Sequence, residues 1–473
     1  MTDDLAGNRN VIEMEYAVRG AIPRRAAVLR AEGRRTILCH IGNPQALGQR
    51  PITYYRQVLG LLENPGLLGR ERRLKERPAQ AGDIELLPDD VLETAERILA
   101  AFEGGLGAYS ESNGPLLVRE AVARFIDRRD GVGPGEGVPA DPGRIFLTTG
   151  ASEAVKYVIE VLIAGPADGI MIPIPQYPLY SAVIRRCGGA QVDYYPDEDA
   201  GWTLDRAALE DAHARAAAKG IRVKAIVVIN PGNPTGAILP AASIREVLDF
   251  AAERGLAVIA DEVYQENVYG GEFVSFAKVL GGRDIPLFSV HSVSKGFHGE
   301  CGHRGGYVEV RNPPHLAGTD LSFTDVLYKI ASVSLCPNTV GMALVYLMVT
   351  PPAAGSPSHA LFARERAHVL SELEAKAKLV REAFTRMAGV ECFGRIGALY
   401  LFPRLGVLPA GKTDFDYCLA LLEETGLCTV NGSGFGQRPG TQHLRVAFLP
   451  PRELLAEVLP AWIDFHGRYV AAK

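Results

Sequence analysis

The sequence predicts an α/β fold: a large domain with a mostly parallel central sheet flanked by helices, plus a smaller α+β domain. Three observations carry that expectation. Short β-rich runs alternate with helical stretches through the middle of the chain. Several of those runs are apolar without a break, as strands buried on both faces must be. The texture then changes near residue 346, where strand–helix alternation gives way to a linker and a long charged helix.

Taken in order, residues 1 to about 45 read as an N-terminal arm, with VRGAIPRRAAVLRAEG (Val18–Gly33) helical. DDVLETAERILAAF (Asp89–Phe102) repeats apolar residues at helical spacing, with Asp89 or Asp90 placed to cap it. Strands are expected at RIFLTT from Arg144, GIMIPI from Gly169, QVDYY from Gln191 and KAIVVIN from Lys224. Three more follow at LAVIADE from Leu256, IPLFSV from Ile285 and GGYVEV from Gly305. Helices lie between many of them, such as SEAVKYVIEVLI and AASIREVLDFAAERG. PPAAGSPS is a Pro/Gly/Ser linker, followed by the helix LFARERAHVLSELEAKAKLVREAFTRM (Leu361–Met387). The expected division is 1–105 for the arm and part of the small domain, 106–345 for the large domain, and 346–473 for the rest of the small domain.

Bulk properties exclude several classes of function. With 47% hydrophobic and 22% charged residues over 473 positions, the chain can bury large cores. A formal charge of −5 gives no footprint for nucleic acid or an anionic membrane surface. The basic run RERRLKER (Arg70–Arg77) is interleaved with Glu71 and Glu76, as on a solvated face. Seven cysteines without a C-x-x-C pair argue for a reducing, cytoplasmic setting. No signal pattern opens the chain, and no run approaches ~18 apolar residues.

In an open parallel sheet, ligands bind beyond the carboxyl ends of the strands. The chemistry-bearing residues gather there. Gly150, Ala151 and Ser152 form a small-residue turn into a helix N-terminus, which suits a phosphate; Ser152 acting only as a helix cap is the plainer alternative. NPGNPTG (Asn230–Gly236) offers the Asn233 amide, and DEVY brings Asp261 and Tyr264 after an apolar strand. A carboxylate there needs a partner, either a salt bridge or a protonated ring nitrogen. SVHSVSKGFHGECGHRGG (289–306) supplies Ser292, Ser294, Lys295 and Arg304, and Tyr177 in PIPQYPLY is a ring available for stacking. Pyridoxal phosphate uses all of these together: an anion cradle, a carboxylate, hydrogen-bond donors, an aromatic face and a lysine.

The motifs NPGNPTG, ADEVYQENVY, SVSKGFHGECGHRGG and GSGFGQRPGTQHLRVAFLPP resemble the class I/II aminotransferases of fold type I, and within them the alanine aminotransferases. GNPQALGQRPITYYRQVL, GAYSESNG, IPIPQYPLYSA, LLEETG and GALYLFP extend the likeness from about residue 15 to the last helix. Two departures bear on substrate preference: Asn431, where the animal enzymes typically carry proline, and the variant segment CPNTVG.

The resemblance implies a site, residue by residue. Lys295 would form the Schiff base with pyridoxal 5′-phosphate and move the substrate Cα proton. Asp261 would pair with the pyridine nitrogen, Asn233 and Tyr264 would bond the phenolic oxygen, and Tyr177 would lie over the ring. Gly150, Ala151, Ser152, Ser292, Ser294 and Arg304 would hold the phosphate. Tyr109, in GAYSESNG, would reach the phosphate of a neighbouring subunit, which implies a homodimer. Arg445, in HLRVAFLPP, would clamp the substrate α-carboxylate beside the Gly42 backbone, with Asn233 also facing the substrate. The implied reaction passes an amino group between a small amino acid, L-alanine first, and 2-oxoglutarate. Glutamate:glyoxylate transamination is the alternative within the subfamily, and a carbon–sulfur lyase, a decarboxylase or a non-catalytic regulator the more distant ones. A zinc site at His298, Cys301 and His303, with His291 nearby, matches no usual ligand spacing. GSGFG lacks the βαβ context of a dinucleotide loop.

Overall fold

The computed structural model describes residues 7–14, 20–77, 85–133 and 135–472. Val18 and Arg19, at the head of the first expected helix, lie outside the described residues; the helix that is described runs Ala21–Ala31. In chain order the strands are β1 (Ile37–Leu38), β2 (Ile145–Thr148), β3 (Asp168–Pro173), β4 (Ala190–Tyr194), β5 (Arg222–Ile229), β6 (Ala257–Asp261), β7 (Leu287–Ser292) and β8 (Gly306–Arg311). Six short ones follow: β9 (Val390–Glu391), β10 (Tyr400–Leu401), β11 (Arg404–Leu405), β12 (Leu427–Cys428), β13 (Val430–Asn431) and β14 (Leu444–Ala447). All seven expected strands of the middle region form, as β2 to β8. Two compact units result, one of residues up to Gly48, Val158–Leu287 and from Ser371 on, the other of Gln49–Tyr157 and Phe288–Leu370.

In the first unit, β4, β3, β5 and β6 lie side by side in that order, every pair parallel. Every residue of β3 and of β6 is buried, which explains their unbroken apolar run. The helices Arg206–Ala218 and Ala241–Arg254 contribute Leu209, Ala212, Ile244, Val247 and Phe250 to one core with Met171, Ile226 and Val258. Burying each large apolar side chain there stabilises by about 1.5–3 kcal/mol. The β5–β6 register pairs Ile229 with Asp261, and the Asn230 N–H donates to the Asp261 carbonyl at 2.9 Å. Two functional loops thus leave the sheet at the same level. Smaller pairings, β1 with β12 and β14 between β10 and β13, belong to this unit as well.

In the second unit, β2 runs antiparallel to β8, with Thr148 opposite Gly306. Its core is helical. The helices Thr53–Glu63, Asp89–Ala101 and Leu116–Asp130 meet Thr339–Val349, a helix buried at every position from Gly341 to Val349. A helix apolar on all sides belongs in such an interior. The expected aspartate cap does not form: Pro88 stands at the N-cap and carries no hydroxyl or carboxylate. Asp89 instead pairs with Lys75 at 2.9 Å, and Asp90 accepts from the Ser358 backbone N–H and hydroxyl at 3.1 and 2.8 Å. Tertiary partners took both carboxylates, which leaves the helix N-terminus with first-turn charge alone. The long charged helix forms as expected, at His359–Phe384. Among the described residues no helix is long and apolar enough to cross a membrane.

Candidate active site

The second unit carries the basic and hydroxyl groups. β2 ends at Thr148, and the chain turns through Gly150 into the helix Ala151–Leu162. Gly150 has φ +83°, a backbone conformation L side chains rarely adopt, and a Cβ there would stand 2.5 Å from Arg304 Nη2 and push the guanidinium aside. Gly306 is as constrained, because its Cβ would lie 2.7 Å from the Ala151 nitrogen. The two glycines let the turn press against the Arg304 segment. Arg304, itself at φ +54°, donates to the Ser152 hydroxyl at 3.1 Å, to the Thr149 carbonyl at 3.3 Å and to the Cys301 carbonyl at 3.0 Å. Ser152 is therefore an acceptor for a guanidinium rather than a plain helix cap, and its hydroxyl proton stays available.

Ser292 closes β7, and its hydroxyl accepts from the Ser294 N–H at 3.3 Å. Both serines are buried, and Lys295, the next residue, is half-buried. The Cys301 thiol donates to the Ser294 carbonyl at 3.0 Å, which ties the lysine loop to the arginine turn. Tyr109 is 77% exposed. The histidines of this segment are engaged otherwise: His298 Nδ1 lies 2.7 Å from the Tyr55 hydroxyl, and His303 Nδ1 lies 2.8 Å from Glu300 Oε2. Among the described residues no cluster of three or more His, Cys, Asp or Glu is disposed to hold a metal ion.

The first unit carries the acid, the phenols and a second arginine. Asp261, the last residue of β6, is buried; its Oδ2 accepts from the Tyr180 hydroxyl at 2.7 Å and its Oδ1 from the Val263 N–H at 3.4 Å. Burial, and after it the Asp261 charge, push the Tyr180 phenol far above its ordinary range, so it stays a donor. Tyr264, three residues past Asp261, is buried edge-on to Tyr400 with ring centroids 6.1 Å apart. Burial first, then Tyr400, hold its phenol protonated too. Tyr177 stands half-buried just before the helix Leu179–Arg186.

Arg445 lies in β14 with only 1% of its surface exposed. Its Nη1 donates to Asn233 Oδ1 at 3.2 Å and its Nη2 to the His40 carbonyl at 2.6 Å. The guanidinium is sandwiched between the Tyr400 and Phe435 rings, 4.2 and 4.5 Å from their centroids. Nε has no acceptor, and no carboxylate pairs with Arg445 among the described residues. Its charge and burial push His40 down to about 4, burial being the larger cause. Gly42 follows two residues after His40 and is partly exposed.

Five participants escaped sequence reasoning. Tyr180 sits in the same PIPQYPLY motif as Tyr177, but nothing in its spacing says it reaches Asp261, 81 positions on. Around Arg445, the His40 carbonyl and Tyr400 come from distant segments, and Phe435 shares its motif without any spacing that says it covers the guanidinium. Thr149 acts through its backbone, which no side-chain pattern reports.

The donor set of the second unit fits the phosphate of pyridoxal phosphate: a positive-φ glycine turn, a helix N-terminus, serine hydroxyls and a guanidinium. A buried carboxylate held by a tyrosine suits a protonated ring nitrogen. A family model described as "Aminotransferase class I and II" matches residues 79–461, and the chain belongs to that family. The protein is an aminotransferase and depends on pyridoxal phosphate. It is similar to human alanine aminotransferase 1, with 46% identity over 98% of this chain and 94% of that one. Glutamate–glyoxylate aminotransferase 1 of Arabidopsis thaliana is 43% identical over 98% of this chain and 95% of its own. The solved structure of an alanine aminotransferase from Pyrococcus furiosus matches with TM-score 0.78 at 25% identity, covering 98% of this chain and 100% of the other. The fold is that of fold type I, with its mostly parallel sheet flanked by helices.

Proposed function

We propose that the protein exchanges the amino group between L-alanine and 2-oxoglutarate, giving pyruvate and L-glutamate by alternating half-reactions. The observation that carries this reading is Arg445: a buried cation with a spare donor and no carboxylate partner among the described residues. An unpaired buried charge is costly, and the α-carboxylate shared by amino acids and 2-oxo acids neutralises it. When bound, pyridoxal phosphate supplies the carbon that takes the amino group and the ring that withdraws electrons from the substrate Cα.

The chain's own residues do the rest. Lys295 anchors the cofactor and moves the proton at the substrate Cα through its Nζ. Asp261 keeps a proton on the ring nitrogen, with Tyr180 holding its Oδ2 in place. Asn233 turns its Oδ1 to Arg445, so its amide N–H groups are left for another acceptor, and with Tyr264 it would bond the cofactor's phenolic oxygen. Tyr177 would lie over the ring. Gly150, Ala151, Ser152, Ser292, Ser294 and Arg304 hold the phosphate. Exposed Tyr109 reaches the phosphate of a second copy, making the enzyme a homodimer. Gly42 lends its backbone beside Arg445. The groups assigned to the cofactor, Tyr109 to Arg304, all fall within 106–345, the division expected for the large domain. Free thiols at all seven cysteines accord with a cytoplasmic enzyme.

Half-reactions test this reading. L-Alanine should bleach the cofactor's absorbance in the holoenzyme and pyruvate should restore it, with borohydride trapping a pyridoxyl group on Lys295. A pyridoxyl group on another residue would sink the assignment, and a band indifferent to every amino acid would point to a binding protein. The 43% identity to a glutamate–glyoxylate aminotransferase supports a second reading, in which glyoxylate outpaces pyruvate as acceptor.

A further inference from the structure

His443, two residues before Arg445, is 2% exposed and lies flat on Phe402, with centroids 4.8 Å apart and planes at 7°. Its Nδ1 is 2.9 Å from Gln437 Oε1, and its Nε2 is 2.9 Å from Glu198 Oε1. Gln437 in turn donates its Nε2 to Asp414 Oδ2 at 3.0 Å. A carboxylate only accepts, so the amide must face Asp414 with its nitrogen and the imidazole with its oxygen. Nδ1 is then a donor. Nε2 faces a carboxylate and is a donor as well, so the ring carries both protons. The charged groups around it are Glu198, with Arg404 behind it at 3.5 Å, and Asp414 beyond Gln437. Arg404 is itself paired with Asp199 and Glu391 at 3.0 and 2.8 Å. Arg445 follows two residues on, in β14.

What this network holds is the segment Gly432–Gln437. Asp414 also accepts from the Ser433 N–H at 2.8 Å and its hydroxyl at 3.0 Å. The Gly432 N–H donates to the His443 carbonyl at 2.8 Å, and a Cβ on Gly432 would come within 2.6 Å of His443 Cβ. Both ends of the segment are therefore fastened. Between them, Phe435 covers the Arg445 guanidinium and its carbonyl accepts from the Gln176 N–H at 2.8 Å, next to Tyr177.

We propose that His443 is a positioning residue for substrate binding: held by Glu198, it fastens Gln437 and so seats Phe435 over Arg445. The inference rests on Arg445 as the carboxylate site. It predicts a change in substrate affinity rather than in the proton-moving step.

Steady-state kinetics on the holoenzyme, read against 2-oxoglutarate because it has no titrating amine, tests the idea. H443F keeps the stacked ring and loses both donors; KM should rise about tenfold with kcat within about twofold, the scale of one hydrogen bond to a charged group. H443N keeps a donor toward Gln437 and H443Q only one toward Glu198, so KM should stay near wild type in the first and rise in the second. That contrast stands even if H443F fails to fold. An unchanged KM in H443Q, equal KM values in H443N and H443Q, or a fall in kcat alone would overturn the proposal. R445K is the control: if it raises KM while the His443 variants do not, the inference fails alone, and if it leaves KM untouched, the carboxylate reading and the inference fall together.

Discussion

Arg304 and Arg445 are both assigned to anions, yet the fold holds them in opposite ways. Arg304 is half-buried and donates to three protein acceptors, two of them carbonyls. Arg445 is fully buried, has two neutral acceptors, lies between two aromatic faces and keeps Nε without a partner. The difference follows from what each would bind. A cofactor phosphate is a resident, so its arginine is fastened to the scaffold and shares the charge with a helix N-terminus and hydroxyls. A substrate carboxylate comes and goes each half-cycle, so its arginine is held by stacking and left short of acceptors. Desolvation then makes the incoming charge count for more.

Breaking the second arrangement should cost most. Arg445→Lys keeps the charge but loses the planar fork and the double stacking, and kcat/KM should fall about 10²–10³-fold, ~3–4 kcal/mol. A loss under fivefold would mean that a point charge suffices and the stacked geometry is incidental.

Next in size is an effect of pH on the same pocket. His40 is held neutral down to about 4 by burial and then by Arg445, against an ordinary value of 6.5. Between those values the unfolded chain binds a proton that the folded chain refuses. Stability should therefore fall as pH drops from 6.5 to 4 and level off below, a change of about 3 kcal/mol. Denaturant unfolding of wild type and His40→Gln across that window measures it, and the variant should show a flatter slope. Parallel slopes would remove His40 from the account.

The Arg304 side should yield less and in another quantity. Arg304→Lys should weaken cofactor retention about tenfold, ~1.4 kcal/mol, with kcat preserved at saturating pyridoxal phosphate. Equilibrium dialysis of the cofactor checks it, and a lowered kcat at saturation would blur the distinction between the two arginines. Ser152→Ala removes one acceptor from Arg304 and one hydroxyl from the cradle. Its effect on cofactor affinity should be the smallest, about three- to fivefold, near 1 kcal/mol.

Much of the fold was legible because burial on both faces leaves strands with unbroken apolar runs, and β3 and β6 are buried at every position. Asp261 and Lys295 stood out in the sequence because one closes β6 and the other follows β7 by three residues, in motifs of unusual composition. The failed cap at Asp89 and Asp90 shows the limit of local rules: Lys75 and Ser358, remote in sequence, claimed those carboxylates. Tyr180, Phe435 and the His40 carbonyl were invisible for the same reason. Tyr180 and the His40 carbonyl contribute through contacts 81 and 405 positions apart, and Phe435, though near Arg445 in sequence, covers it only through the fold of the intervening turn.

By itself the sequence determined the class of chain, the run of strands and helices, and the residue types at the strand ends. These follow from hydrophobic periodicity, turn chemistry and the short-range sterics of glycine, which are local. Only the tertiary structure decided that Arg445 would be buried without a carboxylate, that Tyr180 would hold Asp261, and that His443 would donate from both nitrogens. Those properties depend on which groups are left without water and which acceptors stand within 3 Å. Desolvation and hydrogen-bond satisfaction are set by packing, not by order along the chain.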